Sequence, residues 1–154
     1  MTDINKLMLI IGYNFKDKSL IKTALTHSSF SKENKIKNNE RLEFLGDRVL
    51  GLIISSEIFR KNVSSTEGEL AKQQSFLVCK TTLKKVANSI KLQEFINCTK
   101  SLKKSSLDSI IANTLEALIA AIYLDSNINQ ASKIVLKLWK SFLENINLSS
   151  FDPK

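Results

Sequence analysis

The chain has 154 residues, 43% of them hydrophobic, which is enough for one compact domain with a buried core. Its 23 basic against 15 acidic side chains give a formal charge of +8, which points to a polyanionic partner, nucleic acid in preference to a membrane. No unbroken apolar run reaches the roughly 18 residues needed to span a bilayer, and the start MTDINKLMLI lacks a basic leader with a cleavage site, so a cytoplasmic protein is expected.

A single proline, Pro153, and four glycines leave little turn chemistry for a many-stranded sheet, so an all-α fold of about seven helices is predicted. Apolar residues first recur at helical spacing in Ile4, Leu7, Met8 and Ile11, and again in Leu20, Ile21, Ala24 and Leu25. Residues 31–39, SKENKIKNN, are polar without periodicity and read as an exposed loop. Leu42, Leu45, Val49, Leu52 and Ile53 then mark the next helix. Thr66, followed by Glu67 and Glu69, supplies an N-cap and dipole-matched acids for a helix over 68–78. Leu83, Val86, Ala87 and Ile90 follow. After the polar run 99–106, a helix starting near Leu107 carries Leu115, Leu118, Ile119 and Ile122. Ile134, Leu138 and Phe142 mark the last one, with Asn129 its candidate cap. Cys79 and Cys98 have neither CxxC spacing nor partner histidines, which argues against zinc or a disulfide and for buried small hydrophobes.

Charge is unevenly shared. Residues 80–104 hold seven lysines and one acid, Glu94, a net +6, whereas residues 105–154 carry −1. The basic middle is either a phosphate-facing surface or a set of solvated helix faces.

In ERLEFLGD, Glu40, Glu43 and Asp47 stand at i, i+3 and i+7, so a helix projects all three from one side while Leu42, Leu45 and Val49 face elsewhere. Three acids within two turns repel one another. That cost is offset by a hard divalent cation with oxygen ligands, Mg²⁺ fitting best, or is tolerated as an ordinary solvated helix face. Gly46 lies mid-helix at a cost of about 1 kcal/mol relative to alanine, which makes sense where another backbone or a ligand must approach closely. A second polar pair, Asn113 and Glu116, interrupts the apolar stretch at 110–123. A carboxylate flanked by Leu115, Ala117 and Leu118 is expensive to bury alone, so Glu116 is expected to meet a cation or a solvent-filled cleft. Two such helices facing one another would form a metal cage able to activate water against a phosphodiester.

These residues carry a resemblance. ERLEFLGDRVL at 40–50 is similar to the signature helix of the ribonuclease III family, and THSS at 26–29, EGELAKQQSFLV at 67–78 and NTLEALIAAIYLD at 113–125 resemble family segments in the same order. The resemblance covers residues 7–125, and more loosely extends to Pro153. It implies an all-α nuclease domain paired about a two-fold axis as a homodimer. The two sites lie at the ends of a valley for double-stranded RNA, each cutting one strand to leave a 5′ phosphate and a short 3′ overhang. Carried over by position, Glu43, Asn113 and Glu116 match metal ligands. Asp47 matches a catalytic acid that helps hold metal and water, and Glu40 an outer acid of the signature. Mg²⁺ is the implied cofactor, with Mn²⁺ able to substitute. Phe44 matches the side chain that plugs a pocket of the partner subunit, the alternative being a core residue of its own chain.

Two positions depart from the pattern. The family most often has aspartate where this chain has Asn113, which removes one negative charge per site and weakens the attraction for Mg²⁺. Arg48 stands where a small residue is usual, and either offsets acid repulsion, touches RNA or is a surface arginine without a role. His27 is expected to make a structural hydrogen bond. Residues 1–147 are read as the nuclease domain and 148–154 as the start of a linker toward a double-stranded-RNA-binding domain absent from this chain. The leading expectation is a processing endoribonuclease for structured RNA, such as ribosomal precursors. The rivals are a catalytically impaired RNA-binding or assembly module, owing to Asn113, and a basic helical module that binds nucleic acid without cutting, which leaves the acids unexplained.

Overall fold

The computed structural model describes residues 3–34, 36–100 and 102–146; the expected linker at 148–154 lies outside them. The fold is all-helical, in the order α1 (Ile4–Ile11), α2 (Lys18–Ala24), α3 (Ser28–Asn34), α4 (Glu40–Lys61), α5 (Glu67–Val78), α6 (Lys80–Ser89), a 3-10 turn (Leu92–Phe95), α7 (Lys104–Asp125), α8 (Ile128–Leu138) and α9 (Lys140–Glu144). The nine α-helices among the described residues exceed the seven expected because α3 and α9 are too short to show an apolar period. The only strand-like pairing among the described residues is one bridge between Thr26 and Asn97. There His27 N–H donates to Asn97 O at 2.9 Å and Asn97 N–H to Leu25 O at 2.8 Å.

Local chemistry explains several boundaries. Asp3 caps α1 by accepting from Asn5 and Lys6 N–H, and Gly12 ends it at φ +73°, a left-handed conformation that favours glycine. Thr66 is the N-cap of α5, as expected, and with Glu69 it forms a reciprocal capping box; the helix opens at Glu67, one residue before the expected start. The cap of α8 is Asn127, which accepts from Gln130 N–H, and not Asn129: the helix opens two residues earlier than its apolar pattern suggests.

The long helices α4 and α7, each of 22 residues, make the most extensive contact in the molecule. α7 is its axis, with Ala112, Leu115, Ala117, Leu118, Ile119, Ala120, Ala121 and Ile122 buried among α2, α4, α6 and α8. Although no unbroken apolar run stands out in the sequence, Ser106–Asp125 is long and apolar enough to cross a bilayer; two-thirds of it is buried inside the fold. At its end, Asp125 accepts from the Tyr13 hydroxyl at 2.6 Å and from the N–H groups of Lys16 and Asp17. Burial works to raise the Asp125 pKa, but these bonds outweigh it and hold the carboxyl below its ordinary value. Trp139, fully buried, donates from Nε1 to Leu77 O at 2.8 Å and so ties the C-terminal helices to α5.

Two expectations are corrected. Residues 31–39 are not an exposed loop throughout, because α3 occupies the first part and both Ser31 and Asn39 are buried. Their polarity is spent on the backbone: Asn39 Nδ2 donates to Ala24 O at 3.0 Å and Ser31 Oγ to Ser28 O at 3.0 Å. The cysteines are free but are not core residues. Cys98 is half-buried, and Cys79 lies exposed at the α5–α6 joint with its Sγ directed to Phe76 O.

Candidate active site

Helix α4 begins at Glu40, which puts Glu40 and Glu43 in its first turn and Asp47 one turn further. Leu42 and Val49 are buried on the opposite side, as the spacing requires. Where α4 crosses α7 the two backbones almost touch: a β-carbon built on Gly46 would lie 1.7 Å from the carbonyl oxygen of Glu116 and 2.4 Å from its carbonyl carbon. The mid-helix glycine is thus a close approach of backbone to backbone. It brings the acidic face of α4 against the polar pair of α7.

The result is a cleft of about 470 Å³ lined by Glu40, Glu43, Asp47, Arg48, Asn113 and Glu116, with Phe44 and Lys80 at its edge. The four acids and the amide expected to form the metal cage, Glu40, Glu43, Asp47, Glu116 and Asn113, therefore share one cavity. Glu116 is the most enclosed, 8% exposed, whereas Glu43 and Asn113 are half-buried and Glu40 and Asp47 open to solvent. Burial, and then the neighbouring Asp47 and Glu43, push the Glu116 carboxyl up to about 8, with Lys80 acting in the other direction. Glu43 is raised as well, by burial first and by Glu40 and Asp47, again against Lys80.

The expected cage is open in this arrangement: among the described residues, no three acidic, histidine or cysteine side chains close around a common point. Glu116 and Asp47 share a hydrogen bond that keeps a proton on Glu116, and Asp47 also makes an ion pair with Arg48. The donor set nonetheless fits a hard divalent cation, since Glu43, Asp47, Glu116 and the Asn113 amide offer oxygen alone, and the buried Glu116 charge has no fixed cation in contact with it among the described residues.

Phe44 is 64% exposed, so it is not a core residue of its own chain. The Arg48 guanidinium lies 5.0 Å from its ring centroid, a cation–π contact that gives this unusual arginine a place. Phe44 also borders a larger cavity of about 1030 Å³ whose surface is mainly apolar, from Leu20, Leu42, Leu45 and Leu124, with Lys37, Glu40 and Arg41 lining it as well. His27 makes the structural bond expected of it: Nδ1 accepts from Ser29 N–H at 3.1 Å and lies 2.8 Å from Ser29 Oγ. Burial lowers its pKa, with Glu40 acting in the opposite direction.

The place of Lys80 has no signal in the sequence. The residue belongs to the basic middle of the chain, yet only the packing of α6 on α7 shows that, of seven lysines there, this one reaches the acids.

A family model described as ribonuclease-III-like matches residues 17–142. The chain belongs to the ribonuclease III family. It is an endoribonuclease of the ribonuclease III type, a hydrolase, and this membership implies a divalent-metal requirement. Among its relatives, Ribonuclease 3 of Rickettsia felis is 41% identical over 160 residues, an alignment that takes in all of this chain and 71% of that protein. The nuclease domain of ribonuclease III from Campylobacter jejuni superposes with a TM-score of 0.85 at 39% identity, covering 96% of this chain and all of that one. A second structure of that domain, concerned with flexibility in a region involved in dimer formation, gives 0.84 at 41% identity over 92% of this chain and 99% of that one.

Proposed function

We propose that this ribonuclease III-type chain is a cytoplasmic endoribonuclease. It would cleave double-stranded or structured RNA, such as ribosomal precursors, as a homodimer with Mg²⁺, leaving 5′-phosphate ends and short 3′ overhangs. Residues 1–147 would be its nuclease unit. The observation that carries this reading is the Gly46–Glu116 backbone contact, which sets four carboxylates and one amide around a single cleft on a chain of net charge +8.

Glu43, Asp47, Glu116 and the Asn113 amide oxygen would hold the metal. When bound, it supplies Lewis acidity toward a phosphate oxygen and makes water a better nucleophile near neutral pH. Glu116 has its position set by a backbone wedged against α4 and its charge favoured only once a cation is near. Asp47 stands at the open rim, where a carboxylate orients water for in-line attack and accepts its proton. Dimerisation is supported by the exposed Phe44 beside a mainly apolar cavity of a size to receive an aromatic ring from a second copy, and by the dimer region named for the Campylobacter jejuni domain.

The test is end mapping. Incubated with a long RNA duplex and Mg²⁺, the protein should cut both strands to 5′-phosphate products with staggered ends and leave single-stranded RNA intact. Binding of the duplex without any cut, with Mg²⁺ or Mn²⁺, would replace this reading by that of an RNA-binding module impaired at Asn113.

A further inference from the structure

We propose that Lys80 is a ligand of a substrate phosphate at this cleft, held ready for it by Ser109. The proposal rests on the duplex-RNA reading above and assigns within it a residue that the acidic motifs do not contain.

A cavity lined by four carboxylates repels the phosphate it must admit, so the approach of the polyanion needs fixed positive charge on the rim. Two lining residues are cationic. Arg48 is already committed, ion-paired with Asp47 and laid over Phe44. Lys80 differs. Its ammonium donates to Ser109 Oγ at 2.9 Å and makes no ion pair with Glu43 or Glu116 among the described residues, although its charge offsets the repulsion felt by both. An ammonium has three N–H donors and one is used here, which leaves two for an incoming anion.

The tether also sets where this charge stands. Lys80 is the first residue of α6, and the Lys84–Asp108 ion pair at 2.8 Å fastens the next turn of α6 to α7. Ser109, Asn113 and Glu116 follow at i, i+4 and i+7 and therefore share one face of α7. Ser109 lies about 6 Å along the helix axis from Asn113. The ammonium is thus held at Ser109, one turn from Asn113 and two from Glu116, beside the proposed metal ligands without replacing them. That is the position from which a cation contacts a non-bridging oxygen of a phosphate bound in the cleft.

The test compares the parent with Lys80→Gln, Lys80→Arg and Ser109→Ala. Binding to an RNA duplex, measured without divalent metal over a salt series, should show a log–log salt slope shallower by about one for Lys80→Gln, with the arginine variant restoring it. In Mg²⁺, kcat/KM should fall tenfold or more for Lys80→Gln and partly recover in Lys80→Arg, with a smaller loss for Ser109→Ala. The Mg²⁺ concentration that half-maximally raises the melting temperature should stay the same or fall in Lys80→Gln, because a charge that repels the cation is gone. An unchanged salt slope with unchanged kcat/KM overturns the proposal, as does loss of the Mg²⁺-induced shift, which would make Lys80 a support of the acids. If no protein cuts RNA but the slope still falls by one, the hydrolytic reading fails and the phosphate contact stands.

Discussion

Gly46 of α4 leaves no space between itself and Glu116 of α7: a β-carbon there would overlap the Glu116 carbonyl oxygen at 1.7 Å. The obstacle is helix backbone on both sides, which cannot rotate away as a side chain would. Gly46→Ala must push the two longest helices apart. We expect a loss of about 3 kcal/mol or more and a melting temperature lower by roughly 6–12 °C. The matched control is Gly51→Ala in the same helix, where the added methyl meets Gln74 Nε2 at 3.7 Å, an ordinary contact. That variant should gain up to about 1 kcal/mol from helix propensity. Thermal melting of both variants checks the closeness of the crossing.

Glu116 gives a pH-dependent signature. Its carboxyl is raised from 4.5 to about 8, so the folded protein holds a proton there that the unfolded chain releases. Stability is then present in full below the unfolded value and is lost as pH rises from about 4.5 through 8. In metal-free buffer Glu116→Gln should match the parent near pH 4 and exceed it near pH 8.5, by about 1–2 kcal/mol after allowing for the water-filled cleft. Mg²⁺ should reverse the order by stabilising the parent alone. Cleavage by the variant should fall at least a hundredfold, about 3 kcal/mol, with duplex binding retained. Near-normal turnover would remove Glu116 from the metal site.

Asn113 is one turn from Glu116 on the same face, and restoring an acid there adds a negative charge to the cleft. Asn113→Asp should lower the Mg²⁺ concentration for half-maximal cleavage, since a carboxylate attracts a divalent cation more strongly than an amide does. Without metal it should be the less stable protein, through repulsion with Glu43, Asp47 and Glu116, and it should gain more from Mg²⁺ in a melt. Identical metal dependence of the two proteins would show that position 113 is not a ligand.

Phe44→Glu addresses the assembly. At 64% exposure, Phe44 can be replaced without opening a cavity in its own chain, so the fold and melting of the protomer should persist. In the proposed dimer a charge there would displace the ring from the mainly apolar surface of the second copy's cavity, and sedimentation should shift from dimer to monomer. A dimer of unchanged affinity would take Phe44 out of the interface.

The acids were legible in the sequence because helical period alone puts Glu40, Glu43 and Asp47 on one face, and because a carboxylate among leucines and alanines at Glu116 demands an explanation. Gly46 was legible for the same kind of reason, as a helix cost with no local benefit. The residues that were missed depend on tertiary partners. Asn39 looks like loop composition until its amide is seen bonded to Ala24 O. Lys80 is indistinguishable from its six neighbours of like charge until α6 docks on α7 and Ser109 fixes it. Asp125 closes an apolar helix without any sign that three donors from the segment after α1 converge on it.

The cleft between α4 and α7 is proposed to hydrolyse duplex RNA through a divalent cation held by its acids. The most direct measurement is the initial rate of cleavage of a long RNA duplex by the purified protein as Mg²⁺ is titrated from zero near pH 7.5. A metal held by these acids gives no cleavage in chelator, a saturable rise with Mg²⁺, and recovery of the rate when Mg²⁺ is restored after chelation. Cleavage that persists in chelator, or none at any concentration of Mg²⁺ or Mn²⁺, would contradict it.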